Sequence, residues 1–351
     1  MTTARVPSHA RRRFIAALGV AAATAIPTAR GASPPRTLVF HDPDCALHDT
    51  GPGHPETPER VAAVVRALES VARDGSIAMV RSGAATIDDL ALVHDRSYID
   101  LVRSDIAAGL PELSTGDTPL SDGSWTAALA AAGAVVGAVD AVMTDRCRSA
   151  FCAIRPPGHH VSQRRGMGFG LFNNLAIGVR HAQRRHGVGR VLIADWDVHH
   201  GNGTQAIFEA DGSVLFFDTH EDPLYPGTGS RDENGHGAGQ GLIVNRPFPA
   251  GAGRREILGA YRDELVPLAD RFRPELVMVS AGFDSQQDDL LGHFRLTPRD
   301  YADLTDVVRA IADRHAGGRI VSVLEGGYVP EALSRAVIAH VGRLATSAGT
   351  R

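Results

Sequence analysis

The chain has 351 residues, of which 43% are apolar, with 38 glycines and a formal net charge of −4. This composition suits one large globular domain or two modest ones and argues against a disordered or fibrous protein. The acidic balance gives no support for nucleic-acid binding. Three cysteines without a C-x-x-C pair argue against a disulfide framework and a cysteine-based zinc finger.

The first 32 residues are typical of an export signal. Arginines 11–13 precede an apolar run over residues 14–26, and small residues suited to cleavage follow at 29–32. The run is too short to span a bilayer comfortably, so we expect cleavage rather than a stable membrane anchor or an uncleaved amphipathic helix. The arginines favour the twin-arginine pathway of bacteria. We therefore predict export to the periplasm or the extracellular space.

From about residue 36 onward, predicted strands alternate with predicted helices. The strands are short apolar runs that end at glycine, proline or polar residues: TLVF, FCAIRP, RVLIADWD, VLFFDTH, ELVMVSAGF and RIVSVLEGG. Helical spacing appears in ERVAAVVRALESVAR, SWTAALAAAGAVVGAVDAVM and ALSRAVIAHVGRLA, and Thr57 and Pro58 suit the start of the first of these helices. The alternation predicts an α/β fold with a parallel sheet and helices on both faces. The glycine-rich stretch 218–241 predicts a long surface loop.

Polar clusters follow four of the predicted strands: RPPGHH, DWDVHHGNG, GFD and EGGY. Ligands of open parallel α/β sheets bind outside the carboxyl ends of the strands. We therefore expect one edge of the sheet to gather seven side chains, namely His159, His160, Asp195, Asp197, His199, Asp284 and Tyr328.

Three of these side chains form a candidate metal site. Asp197 and His199 are two residues apart, so both side chains point the same way on an extended strand end. With Asp284 they make a three-ligand N/O set with one position free, as expected of catalytic rather than structural zinc. Each residue alone also has a structural interpretation, such as a helix cap or a core-edge residue. Their joint occurrence at strand ends favours the metal.

The ordered motifs resemble the zinc-dependent histone deacetylase family, which includes acetylpolyamine amidohydrolases and bacterial class II-like deacylases. The motifs are HPETPER, GDTPLS, RPPGHH, GFGLFNN, DWDVHHGNGTQ, PLYPGTG, AGFDSQQDDLLG and LEGGY. The resemblance implies an arginase-like three-layer fold with one mostly parallel sheet of about eight strands. It also implies a single zinc deacetylase-like catalytic domain over residues 33–351, after a signal peptide over residues 1–32.

The resemblance implies a role for each site residue. Asp197, His199 and Asp284 match the ligands of one catalytic Zn²⁺, and Tyr328 matches the oxyanion donor. The two histidines of PGHH match the tandem catalytic histidines, of which His160 is the general base and acid. Such a set suits amide hydrolysis, because zinc polarises a carbonyl, a histidine carries the proton and a phenol donates to the developing oxyanion.

Neighbouring positions are implied in the same way. Asp195 and Asn202 match the residues that hydrogen-bond the tandem histidines. Asp195 and Asp218 lie near the positions that hold a structural monovalent cation such as K⁺, and the replacement of the usual serine by Asp218 leaves that site open. An aromatic tunnel and its rim match the predicted substrate-binding set, which is Asp117, Gly168, Phe169, Tyr225, Leu291, Gly326 and Gly327.

The sequence therefore predicts a zinc-dependent amidohydrolase that removes acetyl or another short acyl group from an acyl-lysine peptide, an acetylpolyamine or a related N-acyl amine. One alternative is a non-catalytic metal or acyl-ligand binding protein, against which Tyr328 argues. Another is an arginase-like ureohydrolase with two manganese ions, but DVHHG and FDSQ lack the bridging aspartates. The sequence leaves the acyl length, the amine and the oligomeric state open.

Overall fold

One sheet of eight strands runs through the protein, whose computed structural model describes residues 1–2 and 37–346. The strands are β1 Thr37–His41, β2 Ile77–Arg81, β3 Ser149–Ala153, β4 Val191–Asp195, β5 Val214–Glu221, β6 Ile243–Phe248, β7 Leu276–Ala281 and β8 Ile320–Leu324. Their order is β2-β1-β3-β8-β7-β4-β5-β6, and every neighbouring pair is parallel. The predicted α/β fold is confirmed. The predicted export signal and its cleavage site lie outside the described residues.

Helices cover both faces of this sheet. They are α1 Pro58–Ala72, α2 Ile87–Leu90, α3 Arg96–Ala107, α4 Ser124–Met143, α5 Asn174–His186, α6 Asn202–Phe208, α7 Arg254–Ala260, α8 Val266–Phe272, α9 Pro298–His315 and α10 Pro330–Ala345. Thr57 does occupy the capping position of α1, with Pro58 next, but its side chain makes no capping hydrogen bond. By length and composition α4 could cross a membrane, yet most of it is buried as a core helix.

Two hydrophobic cores flank the sheet because successive side chains of a strand point to opposite faces. On β4, Ile193 packs into the core beneath α4 and α5, whereas Leu192 and Ala194 pack into the core beneath α1, α7, α9 and α10. Strands covered on both faces read as continuous apolar runs. That property is why the interior strands stand out in the sequence.

The sequence analysis does not identify β2 and β6, which are the two edge strands of the sheet. In β2 only Ile77 is buried, and in β6 the last three residues are half-buried. In β6 only Ile243 and Val244 precede the polar Asn245, so no continuous apolar run marks this strand. The four apolar residues over 77–80 are a run of strand length, so the pattern could have found β2. The predicted loop at 218–241 also begins too early, because its first four residues are buried as the end of β5.

The four central strands, adjacent in the order β3, β8, β7 and β4, carry the polar clusters singled out in the sequence. Parallel strands bring their carboxyl ends to one edge of the sheet. The turns after these strands therefore lie side by side at the middle of that edge.

Candidate active site

Three buried side chains converge on one point after β4 and β7. His199 Nδ1 lies 3.1 Å from Asp197 Oδ1 and 3.1 Å from Asp284 Oδ2. One potential ligand atom from each residue lies within 4.8 Å of the other two. The structure thus brings together the three residues that the sequence predicts as metal ligands.

Backbone groups hold the two carboxylates in this orientation. The Gly326 N–H donates to Asp197 Oδ2 at 2.8 Å, and the Val198 N–H donates to Asp284 Oδ1 at 2.9 Å. Each carboxylate is thereby anchored through one oxygen and presents the other to His199. A Cβ atom at position 326 would lie 1.9 Å from Asp284 Oδ2, so only glycine fits this close approach.

The chemistry of this donor set fits a divalent metal. Burial and the facing carboxylate of Asp197 raise the pKa of Asp284 to about 7. Two buried carboxylates that face one point repel each other unless a cation lies between them. Two carboxylate oxygens and one imidazole nitrogen are ligands that zinc accepts in catalytic sites. The predicted zinc ligands therefore form a suitable cradle for the ion.

His159 lies among carboxylates. Its Nδ1 is 3.1 Å from Asp195 Oδ2, and its Nε2 is 3.7 Å from Asp197 Oδ1. The Glu325 carboxylate accepts the backbone N–H groups of Gly158 and His159 at 2.7 and 3.1 Å, which fixes the turn. Burial opposes the charge, but Asp197 and Asp195 raise the pKa of His159 well above its usual value. The carboxylates around His159 therefore favour its charged form.

His160 has the opposite surroundings. Its Nδ1 lies 2.9 Å from Asn202 Oδ1, an oxygen that only accepts hydrogen bonds. Nδ1 therefore carries the proton, and Nε2 is left as a proton acceptor. Burial and the neighbouring His159 and His199 hold the pKa of His160 well below its usual value. The pKa values of the two adjacent histidines are thus shifted in opposite directions, with carboxylates beside His159 and the Asn202 amide oxygen beside His160.

Tyr328 follows β8 and is held from two sides. Its backbone N–H donates to Asp289 Oδ2 at 2.7 Å, and the guanidinium carbon of Arg60 lies 4.8 Å from the centre of its ring. Burial and the Asp284 carboxylate raise the pKa of Tyr328 well above its usual value. The phenol therefore stays neutral and can donate a hydrogen bond.

A buried ion-pair network supports this turn, and the sequence analysis did not assign it a role. Arg60 donates to Gly327 O at 2.5 Å and to Glu325 O at 2.6 Å, and its other nitrogen pairs with Glu56 at 2.8 Å. Arg155 pairs with the same Glu56 carboxylate at 2.7 Å. These residues belong to HPETPER, RPPGHH and LEGGY, so the motifs contain them without revealing their contacts.

A cavity of about 280 Å³ leads to this centre. Its walls among the described residues are Asp117, His160, Gly168, Phe169, His199, Leu224, Tyr225, Leu291 and Tyr328. Phe169 has a φ of +65°, which a bulky residue rarely adopts. At the neighbouring Gly168, a Cβ atom would lie 2.1 Å from His160 Cδ2, so the turn packs directly against the catalytic candidate.

At the mouth of the cavity, the Tyr225 hydroxyl donates to Asp117 Oδ2 at 2.9 Å, and the Gly168 N–H donates to Asp117 Oδ1 at 2.7 Å. Asp117, Gly168 and Tyr225, which belong to the predicted substrate-binding set, thus meet at one opening. Leu224, which also lines it, was missed by the sequence analysis because it is one of several apolar residues in a loop.

Two predicted substrate-binding residues lie elsewhere. Gly326 and Gly327 do not line the cavity among the described residues, because Gly326 packs behind the carboxylates of Asp197 and Asp284, and Gly327 packs against Phe283 and Leu333. Their place corrects the predicted substrate contact to a supporting one.

The Asp218 carboxylate, at the predicted K⁺ position, accepts from His220 Nδ1 at 2.7 Å and from the Gly201 N–H at 2.9 Å. Both of its oxygens therefore have protein partners. The monovalent cation stays a prediction.

Known proteins resemble this chain over most of its length. The histone deacetylase domain family matches residues 54–344. A probable deacetylase of Archaeoglobus fulgidus is 38% identical over 84% of this chain and 81% of that protein. Polyamine deacetylase HDAC10 of Homo sapiens is 37% identical over 88% of this chain and 46% of its own length. The crystal structure of the HDA15 HD domain matches with a TM-score of 0.82 at 35% identity, over 88% of this chain and 89% of that domain.

Proposed function

Because the chain belongs to the histone deacetylase family, we propose that it is a zinc-dependent amidohydrolase that removes acetyl or another short acyl group from an amine. The observation that carries this proposal is the set of side chains that meet at the inner end of the cavity. There His160, His199 and Tyr328 line one space beside the convergent carboxylates of Asp197 and Asp284. A neutral base, a neutral phenol and a metal cradle are the groups that amide hydrolysis needs.

Asp197, His199 and Asp284 would hold the ion. When bound there, Zn²⁺ would supply a Lewis acid that polarises the amide carbonyl and makes water more acidic. Burial of all three ligands supports this role, since a dry surrounding strengthens their electrostatic interactions.

His160 carries the proton between the two halves of the reaction. Its Nε2 accepts the proton that water loses as the water oxygen bonds to the carbonyl carbon. The same imidazole then protonates the nitrogen as the C–N bond breaks, and the products are a carboxylic acid and an amine. The acid passes its remaining proton to the amine, directly or through solvent, to give a carboxylate and an ammonium ion. Burial and the neighbouring imidazoles of His159 and His199 support this role, because they hold the pKa of His160 well below its usual value and so favour its neutral form.

Tyr328 donates its hydroxyl proton in a hydrogen bond to the carbonyl oxygen as negative charge develops there. Arg60 and Asp289 position the ring and the backbone of this residue. Because these groups are fixed before the substrate binds, little reorganisation is needed in the transition state, and one such donor typically contributes about 10²-fold or more to the rate.

The cavity favours a slender, unbranched arm on the substrate. Phe169 and Tyr225 supply aromatic walls, and Leu224 and Leu291 add apolar surface. At the mouth each Asp117 oxygen accepts one hydrogen bond from the protein and has a further lone pair for backbone or amine N–H groups of the substrate. We propose acyl-lysine peptides and acetylpolyamines as the two substrate classes. Leu291 adds an apolar wall that cannot pair with the ammonium groups of a polyamine, and this favours the peptides.

A screen of the purified protein tests this function. Acetyl-lysine peptides, acetylpolyamines and longer acyl amides are offered in parallel, and amine release and bound zinc are both measured. We expect turnover of at least one unbranched N-acyl amine, its loss after chelation and its recovery after zinc is returned. Bound zinc with no turnover of any acyl amide would favour a binding protein instead.

We also propose that residues 1–32 direct export through the twin-arginine pathway. The run of arginines supports this, and so do Cys45, Cys147 and Cys152, which are buried and free, so the described chain needs no oxidising compartment to fold. Replacing Arg11 and Arg12 by lysine should strand the protein in the cytoplasm. Export of that variant at the normal rate would count against this pathway.

A further inference from the structure

A second cluster of metal-ligating side chains lies where α4 packs against α5. His181 Nε2 is 2.8 Å from Asp140 Oδ1, and His186 Nε2 is 2.7 Å from the same oxygen. The three atoms lie within 4.8 Å of one another, as the candidate ligands of the active site do. None of the three residues belongs to the motifs quoted above or to the proposed hydrolysis.

The convergence depends on the tertiary fold. His181 and His186 are five residues apart, which is wider than the spacing that places two side chains over each other on a helix. Their nitrogens meet because Asp140 of α4 lies between them. Zinc bonds nitrogen and oxygen at about 2.0–2.2 Å, so its ligand atoms lie roughly 3.3 Å apart in a tetrahedral site. An outward shift of about 0.5 Å by each imidazole would therefore admit the ion.

The local charge also favours a cation. Asp140 lies in the last turn of α4 and His186 ends α5, and the carboxyl ends of helices carry partial negative charge. Burial opposes it, but the hydrogen bonds from His181 and His186 lower the pKa of Asp140, so the carboxylate is ionised at neutral pH. The arginines at 184 and 185 are exposed, so solvent and salt screen their opposing charge.

In this cluster the carboxylate is open to solvent, whereas the two imidazoles are largely buried. The Asp140 side chain is 47% exposed, whereas the imidazoles of His181 and His186 are 13% and 16% exposed. The ligands are therefore held by packing, while the carboxylate stays open to ions in solution. Solvent water can fill the remaining coordination position.

We propose that Asp140, His181 and His186 bind one divalent transition-metal ion and clamp the ends of α4 and α5 together. Two imidazole nitrogens and one carboxylate oxygen suit Zn²⁺, which is the ion used to test the site. The proposed hydrolysis does not depend on this ion.

Equilibrium dialysis of the tag-free full chain against Zn²⁺, after removal of metal by a chelator, tests the proposal. We expect two ions per unaltered chain. His186→Gln should bind one ion and keep its hydrolysis rate, whereas Asp284→Asn should bind one ion and lose hydrolysis. The matched control is His315→Gln, which should bind two ions, because Nε2 of His315 lies 2.7 Å from Asp270 but the second partner of that carboxylate is Arg314 rather than an imidazole.

As many bound ions in His186→Gln as in the unaltered chain would overturn the second site. Should His186→Gln fail to fold, His181→Gln repeats the test. Thermal melting gives a readout other than activity, since Zn²⁺ should raise the midpoint of the unaltered chain and of His315→Gln by more than that of His181→Gln. Two bound ions with this variant pattern but no hydrolysis would leave the second site standing and would count against the proposed function alone.

Discussion

The inner end of the cavity, here called its floor, and its mouth each contain one tyrosine, and the two side chains have opposite surroundings. Tyr328 at the floor is 7% exposed and lies against the buried guanidinium of Arg60, whereas Tyr225 at the mouth is 37% exposed in the loop after β5. Backbone hydrogen bonds and buried ion pairs hold the floor, but a side-chain hydrogen bond to Asp117 holds Tyr225. For the proposed hydrolysis, this difference supports a division in which the floor carries out the chemistry and the mouth selects the amine.

The largest effect is expected when one negative charge is removed from the candidate metal ligands at the floor. Asp284→Asn keeps the shape of the side chain but weakens its bond to a metal, so we expect bound zinc to fall and hydrolysis to drop by roughly 10³-fold or more. Zinc content and turnover are measured on the same sample. The matched control is Asp288→Asn in the same loop, which is exposed and has a φ of +71° that asparagine tolerates. Normal turnover of Asp284→Asn at full zinc content would refute the ligand assignment.

The next largest effect is expected when only the hydroxyl group of Tyr328 is removed. Tyr328→Phe should keep its zinc and lose roughly 10²-fold in kcat, with little change in KM, because the lost hydrogen bond forms mainly in the transition state. Steady-state kinetics with zinc quantified gives both values. An unchanged kcat would remove Tyr328 from the mechanism.

A third change alters the base without touching the metal cradle. Asn202→Asp places a carboxylate beside His160 Nδ1, which raises the pKa of that imidazole. In the proposed mechanism His160 acts as a neutral base, so a higher pKa means that it becomes protonated, and that activity falls, at higher pH. The acidic limb of kcat/KM should therefore move up by roughly one pH unit or more. A limb that stays in place or moves to lower pH would exclude His160 as the base.

The smallest effect is expected at the mouth, where Tyr225→Phe removes the same hydroxyl group as Tyr328→Phe does at the floor. Its hydrogen bond to Asp117 is partly exposed and contributes about 1 kcal/mol or less, so KM should change by about fivefold at most. We expect kcat to stay within about twofold, measured with the same substrate as for the floor variant. A loss of kcat as large as that of Tyr328→Phe would contradict the division between floor and mouth.

The sequence predicts the residues at the floor of the cavity better than the residues that hold them in place. Interior strands read as continuous apolar runs, and the polar residues directly after them, such as Asp197 and Tyr328, share one edge of the sheet. The edge strand β6 lacks such a run, whereas the edge strand β2 has one over residues 77–80 that was not recognised as a strand. Glu56 and Arg155 pair across 99 residues of sequence. Sequence spacing gives no sign of that pairing, and charged residues are usually exposed.

The sequence likewise gives no sign of the cluster of Asp140, His181 and His186. Its two histidines do not have the usual helical spacing of a metal site, and its aspartate comes from another helix. Contacts of this kind follow from how helices pack on a sheet, which single-sequence patterns do not determine.

Anomalous X-ray diffraction at the zinc absorption edge, on crystals grown with zinc, tests the central claim most directly. The proposed mechanism predicts a peak about 2.0–2.2 Å from Asp197 Oδ1, His199 Nδ1 and Asp284 Oδ2, at the floor of the cavity beside Tyr328. A zinc-loaded, hydrolytically active crystal form with no peak bonded to these three atoms would contradict it.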